Sequence, residues 1–284
     1  MIWSDLYVRI PLRTEDGIPV FGRENDGDCF DEADVAQWRA GRLLSDWTEQ
    51  NVLGNPATRG VLETIIREEQ YAVDLACGPG MGLLPALNQL RPGFPGLATD
   101  ANLSVLQEWQ HVLRSLGVGN IALAQCSLMA LPFSDNTVRA YTSMIGVSST
   151  RGGKAGVRTA LAEIYRTLAP GGRFYTIEAE WTDVPAILAL FDKMGQQPWD
   201  IFREVPPAWR ECFIQAGFTI LQEREVECIV LRPEDNELGM AAAIHGIAVG
   251  QRRTAYILQK EENGSPNGRA VLCFGGGIHL KNML

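Results

Sequence analysis

Apolar positions through the centre of the chain follow two rhythms in turn. Residues 71–76, 96–100, 121–126, 139–147 and 173–180 are short apolar runs dense enough to be strands buried on both faces. Between them, Leu83, Leu84, Leu87 and Leu90 form one stripe at helical spacing, and Val105, Trp109, Val112, Leu113 and Leu116 form a second. Leu161, Ile164, Tyr165 and Leu168 form a third, which Pro170-Gly171-Gly172 is expected to end. Strands alternating with helices predict an α/β domain with a parallel sheet covered on both sides.

The flanks are less regular. Residues 1–30 carry apolar patches at 6–12 and 18–21, broken by Gly, Pro and acids, and read as irregular chain or a hairpin. Residues 31–50 place Val35, Trp38, Leu43 and Trp47 at near-helical spacing, with Asp31 or Asp34 as the cap, and 58–69 repeat the pattern with Val61, Leu62, Ile65 and Ile66. Trp38 and Trp47 either cover the site or pack these helices, and a helical apolar stripe favours packing. Past the fifth strand, 184–194 and 206–216 read as helices, while 218–231 and 252–261 read as a closing antiparallel pair around a helical stretch near Met240. The expected division is an extension over 1–69 that could cap the site, a core over 70–262 and a tail over 263–284.

Composition narrows the class. Of the 284 residues 46% are hydrophobic and 21% charged, so the chain can bury a large core. Lys and Arg number 25 against 34 Asp and Glu, a formal charge of -9 that repels phosphate backbones, and nucleic acid is not an expected partner. Cys29, Cys77, Cys126, Cys212, Cys228 and Cys273 are too scattered for a zinc knuckle or a disulfide framework. His111, His245 and His279 suggest no metal site. The first residues lack a secretion signal, and the run 239–250 is too short to span a bilayer; a soluble, cytoplasmic protein with reduced thiols is expected.

The strongest local chemistry is Val73-Asp74-Leu75-Ala76-Cys77-Gly78-Pro79-Gly80-Met81-Gly82, a strand running through a glycine-rich turn into a helix. Residues without a Cβ let backbone approach a ligand, and the helix behind offers unpaired amides. Asp100 ends the second strand twenty residues after Gly80, where a carboxylate can accept from both hydroxyls of a ribose. Leu83 stands where a dinucleotide fingerprint would have its third glycine, which disfavours a nicotinamide dinucleotide.

With these motifs, residues 71–180 resemble class I S-adenosylmethionine-dependent methyltransferases, particularly the type 11 methyltransferase-domain group acting on small molecules. Leu131-Pro132-Phe133-Ser134-Asp135-Asn136 before the fourth strand and Leu168-Ala169-Pro170-Gly171-Gly172-Arg173 before the fifth extend the resemblance. It implies a Rossmann-like class I methyltransferase fold: a mostly parallel seven-stranded sheet, helices on both faces and N-terminal helical additions. It also implies S-adenosylmethionine as cofactor. Ala76, Cys77, Gly78, Pro79 and Gly80 would lie against its methionine part, with Asp74 supporting them. Asp100 would hold the ribose, Ala101 would lie near the adenine with Ser127 and Leu128, and Ser143 would face the amino-acid end.

Two positions depart from the family pattern. Ser127 stands where an acidic residue commonly accepts from the adenine amino group, and Val138-Arg139 replaces an aromatic-Asp pair. A neutral hydroxyl accepts more weakly than a carboxylate. These departures leave a non-catalytic cofactor-binding sensor or assembly protein as the alternative to an enzyme methylating a small acceptor. Glu178, Glu180 and Trp181 fall at the carboxyl end of the fifth strand; they read first as solvated acids beside a packed Trp and second as an acceptor wall. Cys77 reads as a small packing residue rather than a nucleophile.

Overall fold

The computed structural model describes residues 3–22, 52–80, 82–206, 208–233 and 237–262. The helix expected over 31–50, with Trp38 and Trp47, and the tail over 263–284 lie outside the described residues. Among the described residues nine strands form one sheet: β1 (Arg13–Glu15), β2 (Ile18–Val20), β3 (Ala72–Leu75), β4 (Gly96–Asp100), β5 (Ile121–Gln125), β6 (Val138–Met144), β7 (Leu168–Trp181), β8 (Thr219–Val230) and β9 (Gly250–Gln259). Their order is β1-β2-β5-β4-β3-β6-β7-β9-β8. The seven strands β3 to β9 are those expected, and the two added strands are the hairpin alternative for the first thirty residues.

The helices are α1 (Pro56–Glu68), α2 (Leu84–Leu90), α3 (Leu103–Ser115), α4 (Gly153–Thr167), α5 (Val184–Met194), α6 (Asp200–Arg203), α7 (Trp209–Gln215) and α8 (Glu237–His245). Strands β5, β4, β3, β6 and β7 are mutually parallel, while β9 runs antiparallel between β7 and β8. Every residue of β3 and β4 is buried, which is why these strands read as unbroken apolar runs. Successive strand residues feed opposite faces. Ala72 and Ala98 pack with Leu62 and Ile65 of α1, Leu87 of α2 and Leu106 of α3. Val73 and Leu97 pack on the other side with Leu161 and Ile164 of α4 and Phe213 of α7.

Local chemistry fixes the ends. Asn55 caps α1 by accepting from the amides of Ala57 and Thr58 at 2.8 and 3.3 Å, and Pro56 occupies the first turn, where a missing N–H costs nothing. Pro170-Gly171-Gly172 do not end α4. The helix stops at Thr167, and these residues bulge within β7, because the β6–β7 register jumps from Val138↔Leu168 to Ala140↔Arg173. Gly171 holds φ +73°, and a Cβ on Gly172 would lie 3.0 Å from the Arg139 carbonyl. Arg139 is exposed and lies opposite this bulge, at the entry to β6 and away from the strand ends that carry Asp74 and Asp100.

Candidate functional site

Parallel pairing gathers the carboxyl ends of β3, β4, β5 and β6. The chain leaves β3 toward β4 on one side and later returns to pair β6 on the other, so a crevice opens at β3 where the winding reverses. Asp74 pairs Ala98, Asp100 pairs Gln125, and Leu75 pairs Ser143. This register places the sequence-selected Asp74, Ala76, Cys77, Gly78, Gly80, Asp100, Ala101, Ser127, Leu128 and Ser143 at one edge. Pro79 lies in the same turn.

The turn is held from three sides. Cys77 donates its amide to the Thr99 carbonyl at 2.9 Å, Gly78 donates to Asp100 Oδ2 at 2.8 Å, and Trp109 Nε1 of α3 donates to the Gly78 carbonyl at 2.9 Å. Ala76 and Gly78 hold φ of +49° and +55°, and a Cβ built on Gly78 would meet nothing within 4 Å among the described residues. That opening beside a buried carboxylate leaves room for a ligand to approach the backbone. Asp100 accepts a second amide, Asn102, at 2.9 Å through Oδ1.

Asp74 lies beneath the turn with no exposed surface. Its Oδ2 accepts from Thr142 Oγ1 at 2.6 Å and the Leu83 amide at 3.0 Å, while Oδ1 has no hydrogen-bond partner among the described residues. Burial outweighs these donors and, with Asp100 adding repulsion, pushes the carboxyl up to about 7. Gly82 is required above it: at φ +55°, a Cβ there would stand 1.9 Å from Oδ1. The Cys77 thiol is buried, and burial followed by the Asp100 and Asp74 charges pushes it far up, which makes it a packing group and not a nucleophile.

Ser127 and Leu128 follow β5. The Ser127 hydroxyl accepts the Met129 amide at 3.2 Å, so it already serves a local turn. Ser143 donates to the Leu75 carbonyl at 3.2 Å. Gln125, missed by sequence reasoning, is fully buried and bridges two segments: Oε1 accepts the Gly22 amide at 3.1 Å, and Nε2 donates to the Ala101 carbonyl at 2.8 Å. Nothing in a strand-terminal Gln distinguishes it in sequence from a surface residue.

Past β6 the chain turns sharply. Ile145 holds φ +62°, a strained state for a β-branched residue, with its amide on the Ile177 carbonyl at 2.7 Å. Gly146 follows so closely on the glycine turn that a Cβ would lie 3.0 Å from that of Ala76. Glu178 fixes this corner. Completely buried, it accepts from the Ser148 amide at 2.9 Å, the Val147 amide at 3.4 Å and Thr176 Oγ1 at 2.6 Å, and burial raises its pKa despite these donors. The solvated acid expected from sequence is therefore a structural brace. Glu180 accepts the Trp209 amide at 3.2 Å, and Trp181 forms one wall of a cavity.

That cavity, about 400 Å³, opens beyond the Ile145 corner and is walled by Ile145, Ser148, Ser149, Thr150, Trp181 and Trp199. A larger groove of about 720 Å³ lies between Trp3, Tyr7 and Ile10 on one side and Leu113 and Ile121 on the other. Ile121 begins β5 whereas Gln125, beside Asp100, ends it, so the larger groove lies away from the strand ends that carry the site. Among the described residues no cluster of His, Cys, Asp and Glu could hold a metal ion, and no helix is long and apolar enough to cross a membrane.

The chain carries an S-adenosylmethionine-dependent methyltransferase domain of class I, in an α/β Rossmann-like fold. Residues 61–197 match the ubiE/COQ5 methyltransferase family. The ubiquinone/menaquinone biosynthesis C-methyltransferases UbiE of Klebsiella pneumoniae subsp. pneumoniae and of Enterobacter sp. are each 35% identical over 116 residues, which is 40% of this chain and 44% of each relative. The match thus spans less than half the length of these relatives. Among solved structures, MccD protein aligns with a TM-score of 0.52 at 15% identity, over 73% of this chain and 99% of that one. Geranyl diphosphate methyltransferase in complex with S-adenosylmethionine aligns with a TM-score of 0.50 at 15% identity, over 82% and 93%. At such identities these two likenesses establish the fold.

Proposed function

We propose that this protein transfers the methyl group of S-adenosylmethionine to a small molecule held in the cavity beyond Ile145. The observation that carries the reading is the opening at Gly78 beside the buried Asp100 carboxylate, together with the Ile145–Gly146 corner, which lies against Ala76 of the same turn and lines that cavity through Ile145. Asp74, Ala76, Cys77, Gly78, Pro79 and Gly80 would form the bed for the methionine part, and Asp100 would accept from the ribose hydroxyls. Ala101, Ser127 and Leu128 would border the adenine, and Ser143 would hold the Leu75 carbonyl in place. S-adenosylmethionine would supply an electrophilic methyl carbon on a sulfonium; in-line attack by a nucleophilic atom of the acceptor would form the new bond to that carbon, break the carbon–sulfur bond and release S-adenosylhomocysteine as the neutral thioether. The chain's own contribution is alignment and exclusion of water. A cavity of about 400 Å³ suits a small acceptor, and the formal charge of -9 opposes a nucleic-acid substrate.

Calorimetry of S-adenosylmethionine against wild type and Asp100→Ala tests the cofactor site, with a loss of about tenfold or more expected for the variant. Metabolite extracts incubated with methyl-labelled S-adenosylmethionine should yield a labelled small product. Unchanged affinity in the variant overturns the ribose assignment. Tight cofactor binding without any labelled product favours a sensor, and label confined to nucleic acid overturns the small-molecule reading.

A further inference from the structure

Charge within the acceptor cavity is uneven. Among the described residues three ionised side chains line it: Arg151, Asp200 and Arg203. Asp200 is committed, since Oδ2 accepts the Gly152 amide at 3.0 Å and Oδ1 pairs with Arg203 Nη2. The two contacts hold its pKa below the ordinary carboxylate range, the amide contributing most. Arg203 is matched by the same pair. Arg151, in contrast, makes no side-chain hydrogen bond or ion pair with any described residue and feels Asp200 only through space.

The hydroxyls of the wall do not compensate. Ser148 and Ser149 donate to the Ile145 carbonyl at 3.1 and 2.8 Å, and Thr150 donates to the Gly146 carbonyl at 3.4 Å. Their protons are spent on the strained corner, and what they offer the cavity is lone pairs. Trp181 and Trp199 supply flat apolar surface; Trp181 meets Phe202 edge-on at 5.2 Å between ring centroids, and Trp199 stacks on Phe202 at 5.5 Å. The lining therefore combines one unmatched guanidinium, indole faces and hydroxyl acceptors in a chain whose overall charge is negative.

We infer that the methyl acceptor carries an anionic group, a carboxylate or a phosphate, which Arg151 binds while the apolar body lies against Trp181 and Trp199. This deepens the function proposed above and rests on it for the word acceptor, although the anion preference itself can be measured without turnover. A planar guanidinium receives either oxyanion through two parallel N–H donors, which a point charge does not do.

The experiment uses the full chain saturated with S-adenosylhomocysteine, titrated by calorimetry with indole-3-acetate and with its neutral amide, indole-3-acetamide. The carboxylate is expected to bind about tenfold more tightly, with the gap narrowing as salt is raised. Arg151→Gln should erase the preference and Arg151→Lys should retain part of it, with S-adenosylhomocysteine affinity unchanged in both. Benzyl phosphate run in parallel reports whether phosphate is preferred to carboxylate. Equal binding of acid and amide, no detectable binding of either anion at millimolar concentration, or a preference that survives Arg151→Gln overturns the inference. Absence of S-adenosylhomocysteine binding would instead strike the cofactor reading, and the acid–amide comparison would still stand.

Discussion

Asp74 shows how much a single residue can demand of its neighbours. Its carboxyl has an ordinary value of 3.8 and is pushed up to about 7 by burial. Between these values the folded chain keeps a proton that the unfolded chain has lost, so the contribution of Asp74 to stability is full below about pH 4 and is lost as pH rises toward 7. Urea unfolding should show wild type losing stability through this window more steeply than Asp74→Asn, by up to about 1.4 kcal/mol per pH unit; equal slopes would assign the buried proton elsewhere. Gly82 faces the same group. Gly82→Ala adds a left-handed strain to a 1.9 Å overlap with Oδ1 and should cost more than about 2 kcal/mol by the same measurement, whereas Gly78→Ala meets open space and should cost about 1. The glycines of this turn were legible in sequence, but their division of labour was not, because it depends on where the Asp74 side chain ends.

At the scale of elements, the helix–strand alternation through the core was legible because β3 and β4 are buried on both faces and their flanking helices show one apolar stripe each. The Leu131-to-Asp135 segment could be recognised in sequence, yet its cause lies thirty residues on. Arg166 of α4 donates to the Leu131 and Phe133 carbonyls at 3.1 Å each and pairs with Asp135 at 2.6 Å, while Glu163 holds the guanidinium in place. Arg166→Ala should destabilise by about 2 kcal/mol and Arg166→Lys by nearly as much, because an ammonium cannot reach both carbonyls; a thermal melt tests this. Trp109 plays the matching part for the glycine turn. Trp109→Phe removes the donor to the Gly78 carbonyl while keeping a ring in the core, and about 1 kcal/mol of stability together with a several-fold loss of cofactor affinity is expected. An unaltered affinity by calorimetry would show that the turn keeps its shape without the indole.

For the whole molecule, the cavity beyond Ile145 was the least legible part. Ile145, Trp181 and Trp199 come from three separate segments of the chain, and the brace that shapes the corner, Glu178, reads in sequence as a surface acid. The edge hairpin was equally faint, since three-residue strands carry too little alternation to stand out. Yet the chain just past the hairpin is tied to the candidate nucleoside site by the Gln125 side-chain amide, which holds Gly22 with one hand and Ala101 with the other, alongside the bonds of Gln110 and Arg114 to the Asp16 carbonyl in the hairpin turn. Two regions that share an amide in this way cannot be thermodynamically independent, and the coupling must work equally in both directions. Cofactor binding should slow hydrogen exchange at the β2 amides, far from any contact with it, and Gln125→Leu should abolish that remote protection. Conversely, a peptide or antibody that pries the hairpin from β5 should hasten cofactor release. The outermost edge of the sheet would then be a handle on the nucleotide end of the site, a place where residence time can be tuned without touching the chemistry.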